Sequence, residues 1–197
     1  MRSTMTIIMA ALACLIAANT APAGLLPTKV SVTPESNDYR WTYGVVLTSD
    51  SELHTGDFFT IYDFGGFIAG SNVQPSGFEF AATFVGPTPN RLNPDDDPGV
   101  MNLTWTYAGP DITAGQVGLG NFSANSISGL GTEGFFTSQT HRSIDGVVDS
   151  NITSTELPFS VPTIPTVPEP ATLTLFGLGL PLAYGLRRFR DKSSAGR

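Results

Sequence analysis

Cysteine, positive charge and helical patterning are all scarce in this chain, and each shortage removes a class of function. One cysteine, Cys14, stands among 197 residues, so there is no intrachain disulfide and no pair of thiolates for a structural metal. Basic residues number ten against seventeen acidic ones. Over residues 24–166 only Lys29, Arg40, Arg91 and Arg142 face fifteen Asp and Glu, a formal balance of −11. A domain with that balance repels phosphate backbones and anionic headgroups, which argues against a nucleic-acid partner. The two histidines, His54 and His141, have no metal-like spacing to a second ligand. No Gly-x-Ser-x-Gly elbow marks a nucleophile. The expectation is a protein that is not an enzyme and needs no cofactor.

The apolar residues that are present gather at the two ends. Arg2 precedes the run from Met5 to Ala18, and Ala21-Pro22-Ala23 follows it. A charged start, a short apolar stretch and a small-x-small site are the parts of a secretory signal peptide. Residues 1–23 are therefore expected to be removed by signal peptidase, with Ala21 and Ala23 in the cleavage site. Cys14 leaves with them, so the mature chain has no thiol and must be held by packing alone. A lipoprotein reading fails because the apolar run continues past Cys14.

At the other end a Pro- and Thr-rich linker covers residues 158–166, an extended spacer because proline fixes φ and removes a donor. Val167-Pro168-Glu169-Pro170 follows, then an uncharged apolar stretch over residues 171–186, then Arg187-Arg188-Phe189-Arg190. Sixteen helical residues measure about 24 Å, somewhat short for a membrane core, and Pro181 weakens the helix. Arginines directly behind an apolar helix stop translocation and keep that end in the cytoplasm, leaving residues 191–197 as a short cytoplasmic tail. Both ends thus place the intervening domain, 24–157, on the far side of the membrane.

The order of these three parts, spanning residues 167–190, closely resembles the PEP-CTERM sorting signal, which is also catalogued as a C-terminal domain of ice-binding proteins. The resemblance implies recognition by exosortase, a membrane transpeptidase-like enzyme, with Pro168, Glu169 and Pro170 as the recognised residues. Arg187, Arg188 and Arg190 take the role of topological stop. It further implies a Gram-negative host that makes exopolysaccharide. The protein would be transiently anchored, then passed to the envelope or the extracellular matrix. The stretch Gly56 to Gly66 also looks like segments of PEP-CTERM ectodomains, and supplies no activity.

Between the ends, residues alternate in character with a period of two. Tyr39, Trp41, Tyr43, Val45 and Leu47 fall on one face; Phe78, Phe80, Ala82 and Phe84 form a second set; Met101, Leu103, Trp105 and Tyr107 a third. Phe58–Phe64 and Phe135–Thr140 are aromatic- and Thr-rich runs suited to a pleated surface. The chain carries 21 Gly and 15 Pro, and clusters such as Gly65-Gly66, Pro75-Ser76-Gly77 and Asp97-Pro98-Gly99 supply turns. The expected fold is all-β, a single β-sandwich of eight to ten short strands, with a jelly roll among the arrangements it allows. Trp41-Thr42-Tyr43 recurs as Trp105-Thr106-Tyr107, but other echoes have a different offset, so no repeat period exists.

Three features of this region invite a chemical reading. Asp95, Asp96 and Asp97 in a Pro-bounded loop offer oxygens to calcium, although adjacent residues cannot all face one ion. Trp41, Tyr43, Trp105 and Tyr107 would serve as a sugar-stacking platform if exposed, and as core if not. Asp57 and Asp63 lie on one side of an ideal strand but ~20 Å apart, too far for acid and base on one glycosidic bond. The leading functional expectation is an exported structural or interaction protein. A carbohydrate-binding module that retains exopolysaccharide is the alternative, and a secreted hydrolase has the least support.

Overall fold

The computed structural model describes residues 24–113 and 115–160. The expected signal peptide, the linker beyond residue 160, the sorting tail with its expected apolar helix, and the expected cytoplasmic end all lie outside the described residues. So do Ala21, Ala23, Pro168, Glu169, Pro170, Arg187, Arg188 and Arg190.

The described region is all-β. Its strands are β1 (Leu25–Glu35), β2 (Asp38–Leu47), β3 (Ser51–Glu52), β4 (Phe58–Phe64), β5 (Phe78–Thr83), β6 (Met101–Tyr107), β7 (Val117–Ser126), β8 (Gly131–Arg142) and β9 (Val148–Pro158). One antiparallel sheet has the order β1-β2-β7. The second runs β3-β8-β4-β6-β5, with β9 added on β8. β3 and β4 pair with successive stretches of β8, at Arg142–His141 and at Gln139–Phe136.

The two sheets meet through the alternating faces read from the sequence. Trp41, Tyr43, Val45 and Leu47 of β2 and Phe122 and Ala124 of β7 join Phe59, Ile61, Phe64, Leu103, Trp105 and Phe136 in one core. Phe122 sits edge-on to Phe59 at 4.9 Å between ring centroids and to Phe78 at 4.8 Å. Phe59 in turn stacks on Trp105 and on Phe136, both at 5.2 Å. Edge-to-face and offset stacks are the favoured aromatic geometries, since they set the positive ring edge or an offset face against the negative ring face. Trp41 anchors its indole Nε1–H on the Ser128 carbonyl at 2.9 Å.

Alternation fails in β4 for a local reason. Strict alternation would place Phe64 with Thr60 and Tyr62, away from Phe59 and Ile61. Ile61 pairs with Leu103 and Phe64 with Met101, so Tyr62 and Asp63 together oppose Asn102. That is a β-bulge, two residues against one. Asp63 takes φ +55°, a left-handed conformation in which Asp is among the few non-glycine residues found. Its freed N–H donates to Asn102 Oδ1 at 2.9 Å. The bulge returns Phe64 to the core.

The outer face of the second sheet is covered as well. The Pro87 carbonyl accepts from Thr60 Oγ1 at 3.3 Å and from the Tyr62 hydroxyl at 3.0 Å. The segment between β5 and β6 thus lies across this face, which is why Thr60, Tyr62, Asn102, Thr104 and Thr137 are all buried. At the C-terminal end, Gly65 N–H donates to the Pro158 carbonyl and Phe159 N–H to the Leu130 carbonyl. A Cβ on Gly65 would lie 2.4 Å from Ser160 N, so glycine there permits the passage of the exiting chain. The first residues of the Pro- and Thr-rich stretch are therefore held against the domain.

Phe59→Ala should lower the unfolding free energy by about 3–5 kcal/mol, the usual cost of removing a buried phenylalanine. Equilibrium denaturation of the purified protein measures it; a loss under about 1 kcal/mol would contradict the central place given to this ring.

Candidate functional site

Trp41, Tyr43 and Trp105 have no solvent exposure and Tyr107 has 7%. The sugar-stacking platform is therefore corrected: these rings face the opposite sheet, and no ligand can lie on them. Tyr43 lies so deep that burial, with Glu156 adding a smaller repulsion, pushes its hydroxyl well above the usual tyrosine range. Its oxygen and the Trp105 Nε1 have no hydrogen-bond partner among the described residues.

The acidic loop proposed for calcium is partly hydrogen-bonded internally. Asp96 Oδ1 accepts from Asn102 Nδ2 at 2.9 Å, and Asp97 Oδ1 accepts from Gly99 N–H at 2.8 Å. One oxygen of Asp96 thus ties the loop to β6 and one of Asp97 closes a turn within it, and among the described residues no group of three acidic, His or Cys side chains is arranged to hold a metal ion. The loop gains a fourth carboxylate from the bulge, because Asp63 Oδ1 accepts the Asp97 N–H at 2.9 Å. Burial holds the Asp63 carboxyl above its ordinary value of 3.8; the Asp97 N–H bond opposes the rise, and the charges of Asp96, Asp97 and Asp95 add to it.

Folding brings together a cluster that spacing in the sequence did not reveal. Antiparallel pairing sets Glu52 of β3 opposite His141 of β8. The rings of His54 and His141 stack with centroids 4.2 Å apart and planes 16° from parallel. His54 Nε2 lies 3.0 Å from Glu52 Oε2, and His141 Nδ1 lies 3.0 Å from Asp57 Oδ2. Asp57 is 1% exposed. The same oxygen accepts the His54 backbone N–H at 2.8 Å, while Asp57 N–H returns to the His54 carbonyl at 2.9 Å. Asp57 thus closes the turn into β4 and fixes one ring of the pair, the sort of second group that orients a general base. Among the described residues, however, no hydroxyl or thiol is hydrogen-bonded to either ring, so no nucleophile completes the arrangement. The 84 residues between Asp57 and His141 explain why no local signal found it.

A shallow cavity of about 480 Å³ lies elsewhere, lined by Asn90, Arg91, Leu92, Val147, Val148, Asp149 and Ser150. No aromatic residue lines it, and it has no paired carboxylates of the kind a glycosidase needs.

Two outcomes follow from these placements. Asp57→Ala strands a half-buried histidine nitrogen and a backbone N–H, and should cost about 1–3 kcal/mol in chemical denaturation; an unchanged midpoint would mean that water replaces both bonds. For Asp63 the folded state holds its proton more tightly than the unfolded chain. The stability that Asp63 contributes is therefore fully present below pH 3.8 and is lost as pH rises through the elevated folded value. Asp63→Asn keeps the left-handed residue and its acceptor, and should raise the melting temperature at neutral pH. The gain should shrink on acidification; a pH-independent gain would place the cause in backbone strain instead.

The comparisons with known proteins divide between the domain and the tail. No curated protein matches the chain. Among solved structures, a cohesin module from a family 33 glycoside hydrolase of Clostridium perfringens is similar at 14% identity and a TM-score of 0.42, covering 72% of this chain and 98% of that one. Residues 166–188 match the family described as the PEP-CTERM protein-sorting motif. That match falls on the segment whose Pro-Glu-Pro, apolar stretch and arginines were read above. The chain therefore carries a PEP-CTERM sorting motif at its C-terminal end, which implies export, processing by exosortase and sorting to the cell envelope.

Proposed function

We propose that this protein is a non-enzymatic structural or interaction component of the Gram-negative cell envelope or exopolysaccharide matrix. In this reading it is exported as a precursor, freed at Ala23 by signal peptidase, and held by the apolar helix over residues 171–186. Exosortase then cuts near Pro168-Glu169-Pro170. The observation that carries the reading is the sorting motif at residues 166–188, aligned with the arginines that close the apolar stretch.

The domain supports a structural role. It reads as a β-sandwich whose buried core aromatics join two sheets, and whose histidine–carboxylate cluster lacks a nucleophile among the described residues. Its surface is acidic, four basic residues against fifteen acidic ones over residues 24–166, which favours solubility and cationic or hydrated surroundings. With Trp41, Tyr43, Trp105 and Tyr107 buried, carbohydrate cannot stack on these four rings, and the structural reading is preferred.

Replacing Pro168-Glu169-Pro170 by three alanines should leave the protein in the inner-membrane fraction of an exosortase-bearing host, while the unaltered chain reaches the envelope or medium. Cell fractionation and immunoblotting read the difference. Identical distribution of the two chains would remove the motif from any part in sorting.

A further inference from the structure

The first described residue sits in a socket that its amide does not fill. Gly24 N lies 3.0 Å from Thr48 Oγ1 and 2.7 Å from Ser51 Oγ, and those two hydroxyl oxygens are themselves 3.0 Å apart. An amide nitrogen carries one hydrogen, so the uncut peptide shares it between the two hydroxyl oxygens. A third hydroxyl, Thr140 Oγ1, is fully buried and has no partner among the described residues. It lies 3.6 Å from where a Cβ on Gly24 would be, and Ser138 Oγ lies 3.1 Å from the same point.

The surrounding bonds fix the same two residues from several elements. The Gly24 carbonyl accepts from Thr48 N–H at 3.1 Å. Leu25 N–H donates to Ser138 Oγ at 3.2 Å, and the Leu25 carbonyl accepts from Asn151 Nδ2 at 3.2 Å. Gly24 itself is buried and takes φ +122°, with Asn151 Cβ 3.1 Å from a built Cβ. Only glycine meets both conditions.

We propose that this pocket is a seat for the α-amino group released when the signal peptide is cut. Hydrolysis of the Ala23–Gly24 amide consumes one water, leaves a carboxylate on Ala23 and gives Gly24 an amine that is protonated to an ammonium. The ammonium has three hydrogens where the amide had one. Thr48 and Ser51 take two of them, and the third is assigned to Thr140 Oγ1, which lies in the same pocket 3.6 Å from a Cβ built on Gly24. Burying a charge is costly unless it is paired and hydrogen-bonded, so the hydroxyl oxygens offset only part of the hydration that the ammonium loses. Processing thus completes the packing of the domain instead of leaving a loose end. This rests on the export reading, since it needs cleavage after Ala23.

The test uses the full chain exported by a host with its own signal peptide and recovered in the processed form. Amine labelling with an N-hydroxysuccinimide ester, followed by mass spectrometry of the N-terminal peptide, compares folded and denatured protein. The seat predicts a terminus at Gly24 whose amine labels roughly tenfold or more slowly when folded, as for a group exposed only by local opening. Thr140→Val, which keeps the side-chain shape, should speed that labelling, and Ser51→Ala should do the same. Equal labelling of folded and denatured protein from a Gly24 start would overturn the seat and leave the export reading standing. Protection unchanged by Thr140→Val would remove the third acceptor and with it the ammonium assignment. A terminus at another residue would overturn both the seat and the cleavage site.

Discussion

One side chain of the smaller sheet, Phe122, makes the contact on which the rest of the domain depends. It packs edge-to-face with Phe59, with Phe78 and, at 5.8 Å, with Trp105. Each such pair contributes about 0.5–1.5 kcal/mol beyond the area it buries. With Cys14 in the expected signal peptide, no covalent bridge assists the mature chain. The joint between sheets is therefore the aromatic cluster, and the surrounding aliphatic residues fill the space it leaves. This is also why the aromatics are unavailable for ligands: the same rings cannot both close a core and present a stacking surface.

Much of that core was legible from period-two patterning. Trp41, Tyr43, Val45 and Leu47 lie on the face where alternation put them, as do Leu103, Trp105 and Tyr107. The reading loses accuracy where the outer face of a sheet is also covered. Asn102 and Thr104 look like solvent positions by chemistry, yet the segment around Pro87 covers their face and satisfies the polar atoms there. Phe64 is misplaced by alternation because one left-handed residue, Asp63, inserts a bulge. β7 is disguised by its glycines: Gly118 and Gly120 pair with Val46 and Val45 around a register shift, with φ +107° at Gly120.

The candidate chemistry was less legible than the fold. A histidine–carboxylate cluster built from Glu52, His54, Asp57 and His141 depends on the pairing of a two-residue strand with the end of a twelve-residue one. Nothing local encodes that pairing, so each histidine alone reads as unremarkable. The tail is the reverse case. Its motif, apolar stretch and arginines are contiguous, and contiguous signals survive without any knowledge of the fold.

The domain and its addresses thus use different physics. The domain is a sealed aromatic core whose first residues are seated among hydroxyls and whose last described residues cross Gly65. The tail works through hydrophobicity, charge and a short motif that an enzyme reads. The central claim is that the tail is temporary, and the mass of the mature C-terminal peptide, from protein recovered out of the native envelope, tests it most directly. The account predicts a chain that ends near Pro168–Pro170. A chain that still ends at Arg197 would contradict it and make the apolar helix a permanent anchor.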